Sequence, residues 1–131
     1  MVVKPIEHAG AWLIPEVHDP NTGRIDAKKL AEVLGATQAG LARVLQVDRR
    51  VLANKPTMPK FQKRAAMLER TLAILIDYLG SAEVARAWFQ TPNPNLGDRT
   101  PWEVCEKAEE FPKGLEAVAH MVARVPEGIP A

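Results

Sequence analysis

The sequence predicts an all-α protein in which an N-terminal helix-turn-helix bundle is followed by a small helical domain. Residues able to cap a helix precede several stretches in which apolar residues recur every three or four positions, as they do on one face of a helix. No stretch alternates apolar and polar residues as a half-buried strand would. We place an irregular, proline-rich arm at residues 1–24, the helix-turn-helix domain at 25–70 and the second helical domain at 71–131.

Size and composition are those of a globular protein. The chain has 131 residues, 47% of them hydrophobic, which is enough for one compact core. No apolar run approaches the roughly 18 to 20 residues that span a membrane, and Met1–Gly10 lacks the apolar stretch of a secretory signal. The single cysteine, Cys105, excludes an internal disulfide and a thiolate metal cluster. We therefore expect a cytoplasmic protein with no membrane contact, no metal and no cofactor.

Local signals mark three short helices in the first domain. Asp26 is placed to cap a helix that Gly35 ends, because glycine readily adopts the left-handed conformation found there. Thr37 precedes a second helix, and Asp48 precedes a third, which Pro56 ends. The first domain is therefore predicted to be built from short, individually capped helices.

A longer helix is predicted between Met58 and Gly80. Its apolar residues recur at steps of three and four, which places them along one seam. Two explanations are open, because such a seam either enters the core of the protomer or pairs with a second copy in a homodimer. The seam consists of Phe61, Ala65, Leu68, Leu72, Leu75 and Leu79.

Residues 37–55 have the spacing of a helix-turn-helix, whose second helix enters the major groove of DNA. That helix would present arginine, asparagine and lysine, which bind base edges and phosphates, while the start of the first helix would bind phosphate. Cations downstream would extend the basic surface. The residues assigned to DNA binding are Thr37, Gln38, Arg49, Arg50, Asn54, Lys55, Lys60, Lys63 and Arg64.

Charge supports a nucleic-acid partner for this half of the chain. Residues 24–70 carry eleven lysines and arginines against four acidic residues, whereas residues 71–131 carry five against nine. Neutralising phosphates with such cations releases counterions and supplies non-specific affinity for DNA. The alternative is an ordinary helical hairpin with a solvated charged face. One feature favours that alternative, because Gln46 stands where many helix-turn-helix turns carry glycine.

The second domain contains an unusually constrained loop. Ser81 is placed to cap a helix that carries Trp88 and ends before Pro92, and Asn93–Gly97 then form a tight loop. Thr100–Glu103 follows as a capping box with proline at the first helical position. Such a loop favours a role in recognition. In the alternative interpretation, the aromatic residues simply pack a small core beneath a stiff turn.

The same residues resemble a known family. Trp88-Phe89, followed by Pro92-Asn93-Pro94 and by Leu96-Gly97-Asp98-Arg99-Thr100-Pro101, is similar to the toxin-binding domain of the Xre/MbcA/ParS-like antitoxins. In that family the domain follows an Xre-like helix-turn-helix, so the resemblance covers Ile25–Ala131. It implies an antitoxin that is usually dimeric, inhibits a RES-domain toxin that consumes NAD, and represses the shared operon.

The resemblance also implies where the toxin binds. Family antitoxins place their C-terminal segment at the entrance to the active site of the toxin, and here that segment is Arg124–Ala131. Taken alone, the last helix is predicted to run to Val125 and to end at Pro126, with a frayed terminus in the free protein. The residues assigned to toxin binding are Trp88, Asn93, Asn95, Leu96, Arg99, Trp102, Arg124, Glu127, Gly128 and Ile129.

An enzymatic function is not expected. Cys105 would need a base beside it, and the only candidates are His8, His18 and His120, none of which the sequence places next to the thiol. Cys105 is instead expected to pack as a small apolar residue. The main alternative to an antitoxin is a stand-alone helix-turn-helix transcriptional regulator whose C-terminal helices dimerise or sense a ligand.

Overall fold

The structure, a computed structural model, describes residues 12–131. Within this range there is no β-sheet, and two isolated antiparallel bridges pair His18 with Ile25 and Asn93 with Arg99. None of the helices between residues 12 and 131 has the length and apolar character to cross a bilayer. The all-α prediction is confirmed for the described residues. Their seven α-helices are α1 Ala27–Leu34, α2 Gln38–Leu45, α3 Arg49–Asn54, α4 Gln62–Leu79, α5 Ala82–Phe89, α6 Pro101–Glu106 and α7 Gly114–Ala123.

Five of the described helices begin directly after the cap predicted for them, because a side-chain oxygen there accepts a hydrogen bond from a backbone N–H of the first turn. Thr37 Oγ1 accepts from Gly40 N at 2.9 Å, and Asp48 Oδ1 accepts from Arg50 N at 2.8 Å. The complete set of these capping residues is Asp26, Thr37, Asp48, Ser81 and Thr100.

Two helix ends differ from the prediction. The long helix begins at Gln62, because the preceding residues Pro59–Phe61 form a single 3₁₀ turn. The last α-helix ends at Ala123 and is followed by a 3₁₀ turn at Val125–Glu127. Both differences involve a proline near the helix end, where the missing N–H and the fixed φ favour a separate turn.

Gln46 explains how the connection from α2 to α3 is made without glycine. Its φ of 61° lies in the left-handed region, and its backbone N–H bonds the carbonyls of Ala42 and Arg43. The backbone therefore adopts at Gln46 the conformation for which other chains use glycine, at a steric cost to the side chain. The absence of glycine does not prevent the turn.

Helix α4 lies at the centre of the fold. It packs against α7, α5 and α1, so residues from both predicted domains cover it. Most of the predicted seam is buried within the protomer, whereas Leu79 is 41% exposed. The core explanation of the seam therefore applies, and the predicted boundary between residues 70 and 71 falls inside this helix. The seam residues that are buried are Phe61, Ala65, Leu68, Leu72 and Leu75.

The described part of the predicted arm is attached to α4. Ile14 and Val17 are buried, and His18 Nε2 lies 2.8 Å from Glu69 Oε2, which also accepts from the Ile14 N–H at 2.9 Å. The other ring nitrogen of His18 lies 2.8 Å from the Gly23 carbonyl oxygen. Both buried polar side chains are satisfied by each other and by the backbone. The arm contributes Ile14 and Val17 to the core, whereas most of its other described residues are exposed.

Gly114 allows α6 and α7 to approach closely. A Cβ atom added at Gly114 would lie 2.0 Å from the Val104 carbonyl oxygen, which is far inside van der Waals contact. This contact is with the backbone of α6, so no side-chain rotation relieves it. Only glycine fits at the start of α7.

We predict that Gly114→Ala lowers the free energy of unfolding by about 3 kcal/mol, because the two helices must separate. The melting temperature should fall by roughly 10 °C. Gly80→Ala is the control, since a Cβ there meets no atom within 4 Å and only the positive φ of 99° is unfavourable. The free energy of unfolding of this control variant should fall by only about 1 kcal/mol. Equal melting temperatures for the two variants would contradict the close approach of α6 and α7.

Candidate functional site

The basic surface consists of the exposed polar residues of α3 and the cations that follow it. Leu52 of α3 is fully buried against the core. The opposite face of the helix is exposed to solvent and carries Arg49, Arg50, Asn54 and, directly after the helix, Lys55. Arg50 makes only a 3.4 Å contact with the exposed Asp48 carboxylate. No other described carboxylate forms a salt bridge with a cation of this surface. The basic surface comprises Arg49, Arg50, Asn54, Lys55, Lys60 and Lys63, all of them exposed.

The carboxylate of Asp48 is part of the same segment and stays ionised. The Arg50 backbone N–H and guanidinium both donate to it, which lowers the pKa of Asp48 below its usual value. An ionised carboxylate at this position stabilises the start of α3.

The remaining residues assigned to DNA binding lie elsewhere. Thr37 and Gln38 are exposed at the start of α2, with the Thr37 hydroxyl engaged as the helix cap. Arg64 is directed inward: its Nε donates to the Val44 carbonyl at 2.9 Å, and one terminal nitrogen lies 3.4 Å from Glu116. The Arg64 guanidinium thus links α2, α4 and α7 and does not join the basic surface.

Sequence reasoning missed two cations that lie close to Lys63. Arg24 and Arg70 line, together with Lys63, an open groove of about 940 Å³ between residues 12–25 and α4. Lys63 and Arg70 are seven residues apart, so they share one face of the helix. That spacing was available in the sequence. The position of Arg24 could not be predicted from the sequence, because it depends on how the arm folds against α4.

The loop between α5 and α6 closes on itself. The Asn93 side chain accepts a hydrogen bond from Asn95 N at 2.9 Å, and its backbone N–H donates to the Arg99 carbonyl at 3.0 Å. Gly97 and Asp98 both have positive φ, at 64° and 63°. Asn93 is buried, Leu96 is half-buried, and Asn95 and Arg99 are exposed. The loop therefore presents its polar edge from a fixed backbone.

The aromatic residues beside the loop belong largely to the core. Phe89 is buried and makes edge-to-face contacts with Trp88 at 5.3 Å and with Trp102 at 5.9 Å between ring centroids. Trp88 is half-buried. Arg99 lies 4.9 Å from the centre of the Phe111 ring and 3.4 Å from the Glu110 carboxylate. The structure thus joins Trp88 and Trp102 through Phe89.

The C-terminal segment folds back after α7. Arg124 accepts, through its carbonyl, hydrogen bonds from the Glu127 and Ile129 N–H groups at 3.0 and 3.3 Å, and Gly128 has a φ of 87°. The segment contacts α4, and Ile129 remains 37% exposed. The structure therefore shows a turn where the sequence predicts a frayed end. No hydrogen bond or ion pair among the described residues connects this segment to the loop.

Cys105 is packed rather than presented to solvent. It is 2% exposed, and burial raises the pKa of its thiol to about 12. The thiol therefore stays protonated at neutral pH, and the thiolate is the nucleophilic form of cysteine. The prediction that Cys105 packs as an apolar residue is confirmed. His8, one of the bases considered for it, lies outside the described residues.

A comparison with known families matches part of the C-terminal half of the chain. Residues 75–128 match the family described as the antitoxin Xre/MbcA/ParS C-terminal toxin-binding domain. Neither a curated protein nor a solved structure matches the chain. The matched range contains the self-closed loop, helices α5 to α7 and the C-terminal segment as far as Gly128. The family predicted from the loop residues is confirmed for this range, whereas DNA binding by residues 25–70 stays a prediction.

Proposed function

We propose that this chain, whose residues 75–128 form a toxin-binding domain of the Xre/MbcA/ParS antitoxin family, is the antitoxin of a type II toxin–antitoxin system. It binds and inhibits a RES-domain toxin that consumes NAD, and it represses its own operon in the cytoplasm. The observation that carries the proposal is the family match over the self-closed loop and the C-terminal turn. The identity of the toxin follows from the family resemblance.

Rigidity of the loop supports its role in toxin binding. The hydrogen bonds of Asn93 fix the backbone before any partner arrives, so little conformational entropy is lost on association. Asn95 and Arg99 then offer exposed amide and guanidinium groups at a set position. The buried Phe89 and Trp102 lie in the helices on either side of the loop and contact each other edge to face. We assign the exposed edge of the loop to toxin recognition.

The C-terminal segment supplies the second contact with the toxin. Its turn leaves Arg124, Glu127, Gly128 and Ile129 exposed beyond the end of α7. A segment of this size, with one cation, one carboxylate and one apolar side chain, fits the entrance of a cleft that binds a charged cofactor. Inhibition then follows from occlusion of that entrance.

The basic surface supports operator binding. Its arginines and lysines are exposed, and α3 is held against the core by the buried Leu52. Arginine pairs with guanine, asparagine pairs with adenine, and lysine neutralises phosphate. Arg24 and Arg70 extend the same positive charge along the groove beside α4. We assign the base contacts to α3 and the phosphate contacts to the surrounding cations.

A homodimer is part of the proposal, and the structure limits where its interface lies. Leu72 is fully buried, so the central part of the seam is not available to a second copy. Three large apolar side chains are exposed around the turn from α4 to α5, namely Tyr78 at 52%, Leu79 at 41% and Val84 at 47%. Exposed apolar residues in one region favour an interface. We place the dimer contact there.

The alternative function is that of a stand-alone helix-turn-helix regulator. It uses the same basic surface but assigns the C-terminal helices to dimerisation or ligand sensing. The family match favours the antitoxin, because the matched domain is a toxin-binding domain. Co-expression with a RES-domain toxin separates the two functions: the antitoxin co-purifies with the toxin and restores growth, whereas a stand-alone regulator does neither.

Deleting residues 127–131 is expected to weaken inhibition of the toxin at least tenfold, because the segment that occludes the entrance is lost. The measurement is the concentration of chain that halves NAD consumption by the purified toxin. Deleting only residues 130–131 is the control, since it retains Glu127, Gly128 and Ile129. Full inhibition by the shorter chain would show that the C-terminal segment does not block the toxin.

Substituting both Arg49→Ala and Arg50→Ala is expected to weaken binding to operator DNA. Since α3 is assigned to base contacts, the variant should also lose its preference for the operator over unrelated DNA, and the slope of log affinity against log salt should fall by about one for each arginine that contacts a phosphate instead. The control replaces Lys113 and Arg124 with alanine, which removes the same charge from the acidic half. Equal gel-shift affinities for the two double variants would show that Arg49 and Arg50 do not contact the DNA.

A further inference from the structure

The groove between residues 12–25 and α4 has one wall from the arm and one from α4, and we call it the arm groove. Its volume is about 940 Å³. Apolar side chains, among them Trp12 and Met67, line it together with three cations. The cations are Arg24, Lys63 and Arg70, and all three are exposed. The groove is therefore a positively charged channel with partly apolar walls.

The cations of the arm groove have no carboxylate partner among residues 12–131. None of the three takes part in a salt bridge of the described residues. Glu69 is the only acidic residue among those that line the groove, and it is already bound by His18 Nε2 and by the Ile14 N–H. Cations gathered along one groove repel one another in the free protein. An anionic occupant would relieve this repulsion.

Hydrogen bonds fix the two walls of the groove to each other before any partner arrives. Gln62 of α4 accepts a hydrogen bond from the Ile25 N–H at 2.8 Å and donates to the Ile25 carbonyl at 2.9 Å, directly beside Arg24. His18, which is bonded to α4, stacks on Trp12 with ring centroids 4.7 Å apart. The backbone at Arg24 is therefore held beside α4, so little conformational entropy is lost when an occupant binds.

The spacing of the cations fits a chain of phosphates better than a single anion. Lys63 and Arg70 are seven residues apart on one face of α4, which separates them by about 10 Å along the helix axis. Arg24 belongs to the other wall. A small anion would not reach both ends of this row. Separated cations instead neutralise successive phosphates of a nucleic-acid backbone, and a counterion is released at each.

The arm groove is continuous with the basic surface. Lys63 belongs to both, and Lys60 precedes it by three residues, in the 3₁₀ turn that leads into α4. Pro59, beside Lys60, also lines the groove. A DNA strand that lies against α3 and Lys60 can therefore continue into the groove without leaving the positively charged surface. This continuity favours DNA over an acidic protein as the occupant.

We propose that the arm groove binds the sugar–phosphate backbone of operator DNA beyond the base pairs that α3 contacts. Arg24, Lys63 and Arg70 neutralise the phosphates, and the wall at Trp12 packs against the sugars. Residues 12–25 then form part of the DNA interface. That the DNA is an operator rests on the proposed function, whereas the contact with a phosphate backbone rests on the charges and the shape of the groove.

The first test measures binding of the full chain to a DNA duplex of mixed sequence, which needs no operator. Arg24→Ala with Arg70→Ala should weaken binding about tenfold and lower the slope of log affinity against log salt by about two, one for each lost phosphate contact. Lys28→Ala with Lys29→Ala is the matched control, because both lysines are exposed on α1 and do not line the groove. Equal losses for the two double variants would overturn the proposal.

A second test locates the DNA at the groove. In the full chain labelled with ¹⁵N, the indole N–H signal of Trp12 should shift and saturate as the same duplex is added. The signals of Trp88 and Trp102, which do not line the groove, should stay in place. An unmoved Trp12 signal contradicts the proposal. So does a Trp12 shift that appears when the chain alone is concentrated, because the occupant is then a second copy.

The operator separates this proposal from the proposed function. Backbone contacts carry no sequence information, so Arg24→Ala with Arg70→Ala should weaken binding to the operator and to the mixed-sequence duplex by the same factor. A selective loss of operator binding would assign these arginines to base contacts and refute the backbone contact. A chain that never prefers its own promoter contradicts repression in the proposed function, and the measurements on the mixed-sequence duplex still decide the groove.

Discussion

Burial of one face of α4 is the constraint on which the rest of the structure depends. The buried seam residues lie on a helix that packs against α1, α5 and α7, and the arm is attached to the same helix through His18 and Glu69. Neither half of the chain covers this face alone. The basic surface and the self-closed loop between α5 and α6 are therefore held in one arrangement by a helix that both halves need. Burial of such apolar area is the dominant favourable contribution to folding.

Polar contacts over long sequence distance complete this arrangement. The His18–Glu69 pair attaches the arm to α4, and Arg64 connects the end of α2 to Glu116 on α7. Arg43 and Glu106 connect α2 to α6. The His18–Glu69, Arg64–Glu116 and Arg43–Glu106 pairs each join residues that are more than 50 positions apart. Together they explain why cations that appear equivalent in sequence have different roles: Arg49 and Lys55 are exposed, whereas Arg64 is directed inward.

A feature could be predicted from the sequence when the residues that form it lie close together along the chain. Caps such as Thr37 and Thr100 act within three residues, and the loop at Asn93 is closed by contacts within six, so these features were predicted. The partners of His18 and Arg64 depend on tertiary packing, so they could not be predicted from the sequence. The contact between Arg43 and Glu106 was missed for the same reason, because it exists only where α2 meets α6. Trp102 was assigned to toxin binding, but its burial against Phe89 needed the structure.

Native-state hydrogen exchange tests most directly the claim that both halves share one core. The slowest amides of α2, around Leu41 and Val44, should exchange with the same opening free energy as those of α7, around Val118 and Val122, because neither helix stays folded without α4. Equal values that fall together with added denaturant are the expected result. An opening free energy for α2 well below that of α7 would show that the two halves unfold separately, and would contradict the account.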